Sequence, residues 1–248
     1  LHLPLLFNPQ PESVLIVGGG GGVVPTIFRR DYPEVEIDVV ELDPQVVAVA
    51  DRYFGFEPDG ERTRTIVQDG RIYIRDCTRQ YDIILLDAFT GGRPPFHLLT
   101  REFLELVKAR LTPRGVAQIN IIAALNHESD KGRLYRSMHN TFRAVFGPDH
   151  VYVFPKWYDP RWPGLRGENR TSGINIELLA TNYRTIPNPL PKDQIVARAR
   201  RLHRDGRIKI ASIPTHALNY QPAERDQPFP HDTILTDDYA PVDVMVTD

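Results

Sequence analysis

Cysteine is nearly missing from this chain: Cys77 is the single one in 248 residues. No intramolecular disulfide can form, which suits a reducing compartment. Nothing beside Cys77 marks a lowered thiol pKa, so no catalytic role is expected of it. Long apolar runs are lacking as well. No stretch approaches the ~20 residues that span a bilayer, and residues 1–7 lack the basic head and small-residue cleavage site of a signal peptide. Because the chain opens on Leu1 rather than Met, a missing amino-terminal element is an open expectation. Positive charge is not in excess. The net charge of −2 gives no global electrostatic case for nucleic acid. The arginines between positions 198 and 207 alternate with Ala197, Ala199 and Leu202 and read as a solvated helix face. His97, His127, His139, His150 and His231 stand at no metal-ligand spacing, so no metal is expected. No G-x-S-x-G elbow, internal repeat or low-complexity tract is present.

What the chain does have is a glycine run. Val14, Leu15, Ile16 and Val17 lead straight into Gly18, Gly19, Gly20, Gly21 and Gly22. An apolar strand that ends in glycines and enters a helix builds a ligand cradle, because the backbone turns sharply and no Cβ keeps the ligand away. A second strand over 37–41 ends on Glu41, about 20 residues downstream, which is the spacing at which a carboxylate accepts hydrogen bonds from ribose hydroxyls.

Strand and helix patterns alternate through the first 155 residues. Strands are expected over 13–17, 37–41, 64–67, 81–86, 115–122, 151–154 and 174–179, and helices over 23–30, 44–53, 100–110, 131–146 and 192–204. Asp43 and Thr100 stand at N-cap positions. The alternation predicts an α/β fold with an open, mostly parallel Rossmann-like sheet that ends in an antiparallel hairpin. Residues 1–186 are assigned to this domain. Residues 187–248, a helix and a proline-rich tail, are expected to pack on it. The long segment 155–173, with Trp157 and Trp162, reads either as a lid or as a packed loop.

Ligands of open α/β sheets bind beyond the carboxyl ends of the strands. That rule selects Gly18 to Gly22, Glu41, Asp69 with Gly70, and Asp87. Asp69 either accepts from an adenine amine, with Gly70 leaving room for the ring, or caps the helix that follows. Asp87 either stands at the reacting centre as a general base or forms a turn after its strand.

Together these motifs resemble the spermidine synthase family, aminopropyltransferases built on the Rossmann fold of S-adenosylmethionine-dependent methyltransferases. The resemblance runs from about Ser13 to Leu179 and rests on residues 14–22, on Val40, Glu41, Leu42 and Asp43, on Asp69 and Gly70, and on residues 81–87. Residues 95–103 and the tail 235–242 are similar to a divergent bacterial branch of that family. The resemblance implies that Glu41 binds ribose, that Asp69 and Gly70 lie at the adenine, and that Asp87 is catalytic. It implies decarboxylated S-adenosylmethionine as co-substrate, an amine such as putrescine as acceptor, a cytoplasmic enzyme and a possible homodimer.

The chain also departs from that family. Gly21 stands where the family carries an aspartate for the aminopropyl amine, Thr90 where a second aspartate grips the diamine, and Asn120 where a glutamine is expected. The family's amino-terminal β-hairpin is expected to be missing or cut off. A diamine is a dication whose distal ammonium wants a carboxylate. Asp237, Asp238 and Glu168 are the candidates to supply it, and Tyr239 an aromatic face. Gly21 also removes a negative charge that would repel the carboxylate of S-adenosylmethionine, so a methyltransferase is the second reading. A non-catalytic nucleoside-binding homologue is the third. No Tyr/Lys pair of a nicotinamide oxidoreductase is evident.

Overall fold

The structure, a computed structural model, describes residues 1–90, 94–125, 132–156, 174–183, 190–222, 229, 232–241 and 245. The strands are β1 (Ser13–Val17), β2 (Glu36–Glu41), β3 (Thr63–Val67), β4 (Tyr81–Leu86), β5 (Leu111–Ala123), β6 (Val151–Pro155) and β7 (Ile174–Thr181). The helices are α1 (Val23–Asp31), α2 (Pro44–Phe54), α3 (Gly70–Asp76), α4 (Arg101–Ala109), α5 (Arg133–Phe146), α6 (Lys192–Arg204) and α7 (Ile213–Ala217). All seven strands form one sheet in the order β3-β2-β1-β4-β5-β7-β6. The pairs among β1 to β5 are parallel, while β7 runs antiparallel to both β5 and β6. This is the expected α/β architecture with its closing hairpin.

Side-chain alternation along the strands assigns the two faces of the sheet. Leu15, Val17, Ile84, Leu86 and Ile119 pack with Phe103 and Val107 of α4 and with Met138 and Phe142 of α5. Val14, Ile16, Ile83, Leu85 and Leu179 face the other way. They pack with Leu5 and Leu6 of a short amino-terminal 3₁₀ turn, with Ile195 and Ala199 of α6, and with Ile213 of α7. The carboxyl-terminal region thus touches both layers, since Leu235 belongs to the first cluster and its N–H donates to Thr141 Oγ1 at 3.0 Å.

Local signals act where they were expected. Asp43 accepts the Gln45 N–H, and Thr100 accepts the Phe103 N–H. Arg200, Arg201, Arg204 and Arg207 are exposed, whereas Arg198 is half-buried and donates to the Leu6 carbonyl. Two features differ from expectation. β5 starts four residues early, at Leu111, because the chain pairs with Tyr81 before a register shift carries it to Val116. Helix α7 was not anticipated, since five residues are too few to display a period. Trp157, Trp162 and Glu168 of the expected lid lie outside the described residues, as does Val242 of the tail. Among the described residues no helix is long and apolar enough to cross a membrane.

Candidate active site

The order of strands reverses between β1 and β4, and the crevice at that switch point is where an open α/β sheet binds its ligand. Gly18 leaves β1 with φ +96°, and a Cβ on it would fall 2.6 Å from the Asp87 carbonyl oxygen. Only glycine allows the loop to pass so close to the chain leaving β4. The Gly18 N–H donates to the Val40 carbonyl at 2.9 Å and the Asp87 N–H to the Val17 carbonyl at 2.8 Å, so the tips of β2, β1 and β4 are tied together.

Glu41 secures the loop from the second strand. Its Oε2 accepts the N–H of Gly19 at 2.9 Å and of Gly20 at 3.4 Å, and its Oε1 accepts the N–H of Asp43 at 3.1 Å. The carboxylate therefore organises the glycine loop and keeps lone pairs for a ligand.

Of the two roles considered for Asp69, the structure displays the helix cap. Oδ1 accepts the Ile72 N–H at 2.9 Å and caps α3, while Oδ2 meets His97 Nε2 at 3.1 Å. Gly70 is required by packing, since a Cβ there would fall 2.3 Å from Val17 Cγ1. The start of α3 lies directly on the Val17 side chain of β1.

Asp87 is half-buried at the tip of β4, and its Oδ1 accepts from Asn120 Nδ2 at 3.0 Å. Burial pushes its pKa above the usual carboxylate value, and the Asn120 hydrogen bond offsets part of that rise.

A cavity of about 660 Å³ opens between these tips, with Gly18, Glu41, Asp69, Gly70, Asp87 and His97 on its wall. That volume lies in the range of small-molecule sites. Of the other glycines, Gly20 lines the cavity and Gly19 borders a small hollow beside it. Gly21 is turned toward the Phe54 ring, and Gly22 lies against Phe56. Both are off the cavity wall.

The four expected substrate-binding residues, Asn120, Asp237, Asp238 and Tyr239, are all off the cavity wall. Asp237 is held by both terminal nitrogens of Arg71, at 2.7 and 2.5 Å, and by Thr100 Oγ1 at 2.7 Å. The Arg71 guanidinium keeps its carboxyl below the usual value. Asp238 and Tyr239 belong to the turn closed by Thr236 and Tyr239, outside the cavity wall. The charge offered by Asp237 is already neutralised, which is the physical correction to its expected role.

His97 and Thr90 line the cavity, and neither was singled out as a cavity-lining residue from sequence. A solitary histidine carries no spacing signal, and only its position after β4 points to this edge. Glu177 was missed for a different reason: a charged residue inside an apolar strand reads as its solvent face. It is 2% exposed and stands directly opposite Asn120 in the β5–β7 register. Its Oε2 accepts from Gln118 Nε2 at 3.1 Å. Its Oε1 receives Lys156 Nζ at 2.9 Å. Among the described residues no group of three His, Cys, Asp or Glu side chains has metal-binding geometry.

This arrangement agrees with what known proteins resemble it. Residues 1–157 match the Spermine/spermidine synthase domain. The chain belongs to the spermine/spermidine synthase family. A polyamine aminopropyltransferase of Vibrio vulnificus is 43% identical over 155 residues, which cover 61% of this chain and 49% of that protein. The chain spans about half the length of the curated relatives it matches. Among solved structures, human Methyltransferase-like protein 13 in complex with SAH superimposes with a TM-score of 0.61 at 28% identity, covering 82% of this chain and 86% of that one. A probable spermidine synthase from Corynebacterium glutamicum has a TM-score of 0.59 at 24% identity, covering 75% and 62%, and this likeness concerns the fold. The methyltransferase-type sheet is thus common to both groups.

Proposed function

We propose that this family member transfers the aminopropyl group of decarboxylated S-adenosylmethionine to an amine acceptor such as putrescine. The observation that carries the proposal is the placement of Glu41 and Asp87 on one cavity, with Asp87 half-buried and its pKa raised. In this reading Glu41 receives the ribose hydroxyls, and Asp69 with Gly70 borders the adenine. Asp87 stands where the acceptor nitrogen meets the methylene carbon bonded to sulfur.

The acceptor enters as an ammonium ion and must lose one proton to become a nucleophile. Asp87 takes that proton. The nitrogen lone pair forms the new C–N bond as the C–S bond breaks, and the sulfur keeps the bonding pair, leaving neutral methylthioadenosine. A base whose pKa is raised toward the working pH is better matched to this transfer than an ordinary carboxylate. Holding both reactants in one cavity supplies much of the remaining rate. No metal takes part in this scheme. The single cysteine supports a cytoplasmic enzyme, and a homodimer belongs to the proposal on family grounds. Residues 187–248 belong with the same domain in this reading, because Leu190, Ile195 and Leu235 are buried against the sheet's two layers.

A methyltransferase using S-adenosylmethionine is the second reading. Gly21 places no carboxylate in the loop, which favours a donor that carries one, and the likeness to Methyltransferase-like protein 13 supports it. Separate titrations with decarboxylated S-adenosylmethionine, S-adenosylmethionine and methylthioadenosine, followed by an assay with putrescine, test the proposal. Preference for the decarboxylated donor with transfer to putrescine is the expected result. Preference for the carboxylated donor selects the methyltransferase. Binding without turnover on any amine leaves a nucleoside-binding homologue.

A further inference from the structure

Of the positions considered for a diamine anchor, Thr90 and Gly21 carry no charge, Asp237 is neutralised by Arg71, Asp238 lies off the cavity wall, and Glu168 is outside the described residues. A buried carboxylate nevertheless stands two strands from Asp87, off the cavity wall. Glu177 faces Asn120 across β5–β7, and Asn120 holds Asp87.

Two further atoms point to a ligand there. Gln118 Oε1 and Asn120 Oδ1 are buried and have no hydrogen-bond partner among the described residues, and the Gln118 residue is fully buried. Their orientation is dictated by their neighbours. Gln118 must turn its NH₂ to the Glu177 carboxylate and Asn120 its NH₂ to Asp87, so both amide oxygens are left facing away. Gln118, Asn120 and Glu177 share one face of the sheet by register. A carboxylate and two unpaired amide oxygens on one face of the sheet make an acceptor set, and its complement is a group with several N–H donors and a positive charge.

We propose that Glu177, with the amide oxygens of Gln118 and Asn120, is the subsite for the second ammonium of a diamine acceptor. In the free protein Lys156 occupies that subsite. The proposal rests on the amine-acceptor reading above and deepens it.

The dimensions agree. Asp87 on β4 and Glu177 on β7 are separated by β5 alone, so their strands lie about 10 Å apart. A four-carbon diamine joins its nitrogens through five single bonds of about 1.5 Å and spans about 6 Å when extended. One hydrogen-bond length at each end closes the gap. The exchange is also electrostatically balanced. The Lys156 side chain is 44% exposed, so its ammonium returns to water as the substrate's ammonium replaces it on Glu177. The buried carboxylate is never left alone, which would be the costly state.

The test is calorimetric titration of putrescine, and of n-butylamine as its one-charge counterpart, into the protein with and without methylthioadenosine. Wild type is expected to bind putrescine at least about tenfold tighter than n-butylamine, as a charge-assisted contact predicts. Glu177→Gln is expected to erase that difference and to leave methylthioadenosine affinity unchanged. Lys156→Met removes the resident competitor and is expected to tighten putrescine severalfold. Equal affinity of wild type for the two amines overturns the subsite, as does discrimination that survives Glu177→Gln. If Glu177→Gln does not fold, Lys156→Met decides alone, and unchanged or weakened putrescine binding refutes the proposal. Diamine binding without transfer from decarboxylated S-adenosylmethionine sinks the aminopropyl reading and leaves the subsite standing.

Discussion

Asn120 donates its side-chain N–H to Asp87 Oδ1 at 3.0 Å, so β5 and the tip of β4 share a polar contact. Burial raises the Asp87 pKa, and this hydrogen bond, made to the charged form, lowers it. A general base works only above its pKa, so the acid limb of kcat/KM is expected above the ordinary carboxylate range. Asn120→Ala removes a lowering contribution, so the limb moves to still higher pH. A pH profile of kcat/KM for both proteins measures this, and an acid limb that stays in place would contradict the assignment of Asp87 as the base.

Asp87→Asn keeps the shape and loses the proton acceptor. We expect kcat to fall by about 10²- to 10⁴-fold, the usual worth of a general base. Methylthioadenosine binding, read by calorimetry, should be retained. A variant that keeps its turnover, or that loses donor binding in proportion, would show that Asp87 does other work.

Glu41→Ala removes the partner of the Gly19 and Gly20 N–H groups together with the ribose acceptor. Hydrogen bonds to a charged group are each worth about 1.5–3 kcal/mol, so methylthioadenosine affinity should drop by about 10- to 100-fold. Unaltered affinity in the titration would place the nucleoside elsewhere.

Gly70→Ala introduces a Cβ at 2.3 Å from Val17 Cγ1. Overpacking of this kind costs about 1–3 kcal/mol, and a domain of this size loses about 2–4 °C of melting temperature per kcal/mol. Thermal unfolding followed by circular dichroism reads the shift. A melting point equal to wild type would mean that α3 moves off β1 without penalty.

Much of the fold was legible from local pattern. Continuous apolar runs such as 81–86 mark strands covered on both faces, and α5 displays its amphipathic period over fourteen residues. Caps are local chemistry, so Asp43 and Thr100 were readable one helix at a time. Shorter or irregular pieces were not. The start of β5 depends on its neighbour Tyr81, and α7 is too short to show a period.

The site divides along the same line. Strand tips that end in Gly18, Glu41, Asp69 and Asp87 are a consequence of topology, and topology follows from the alternation of elements in the chain. That part was determined by sequence alone. What each carboxylate has left to offer was decided only in three dimensions, because a carboxylate's availability depends on partners brought from distant segments. Asp237 meets Arg71 across 166 positions of chain and is neutralised, whereas Glu177 meets Gln118 across 59 and is buried opposite Asn120. Charge pairing and burial are properties of neighbours in space, and neighbours in space are what a linear order of residues leaves unstated.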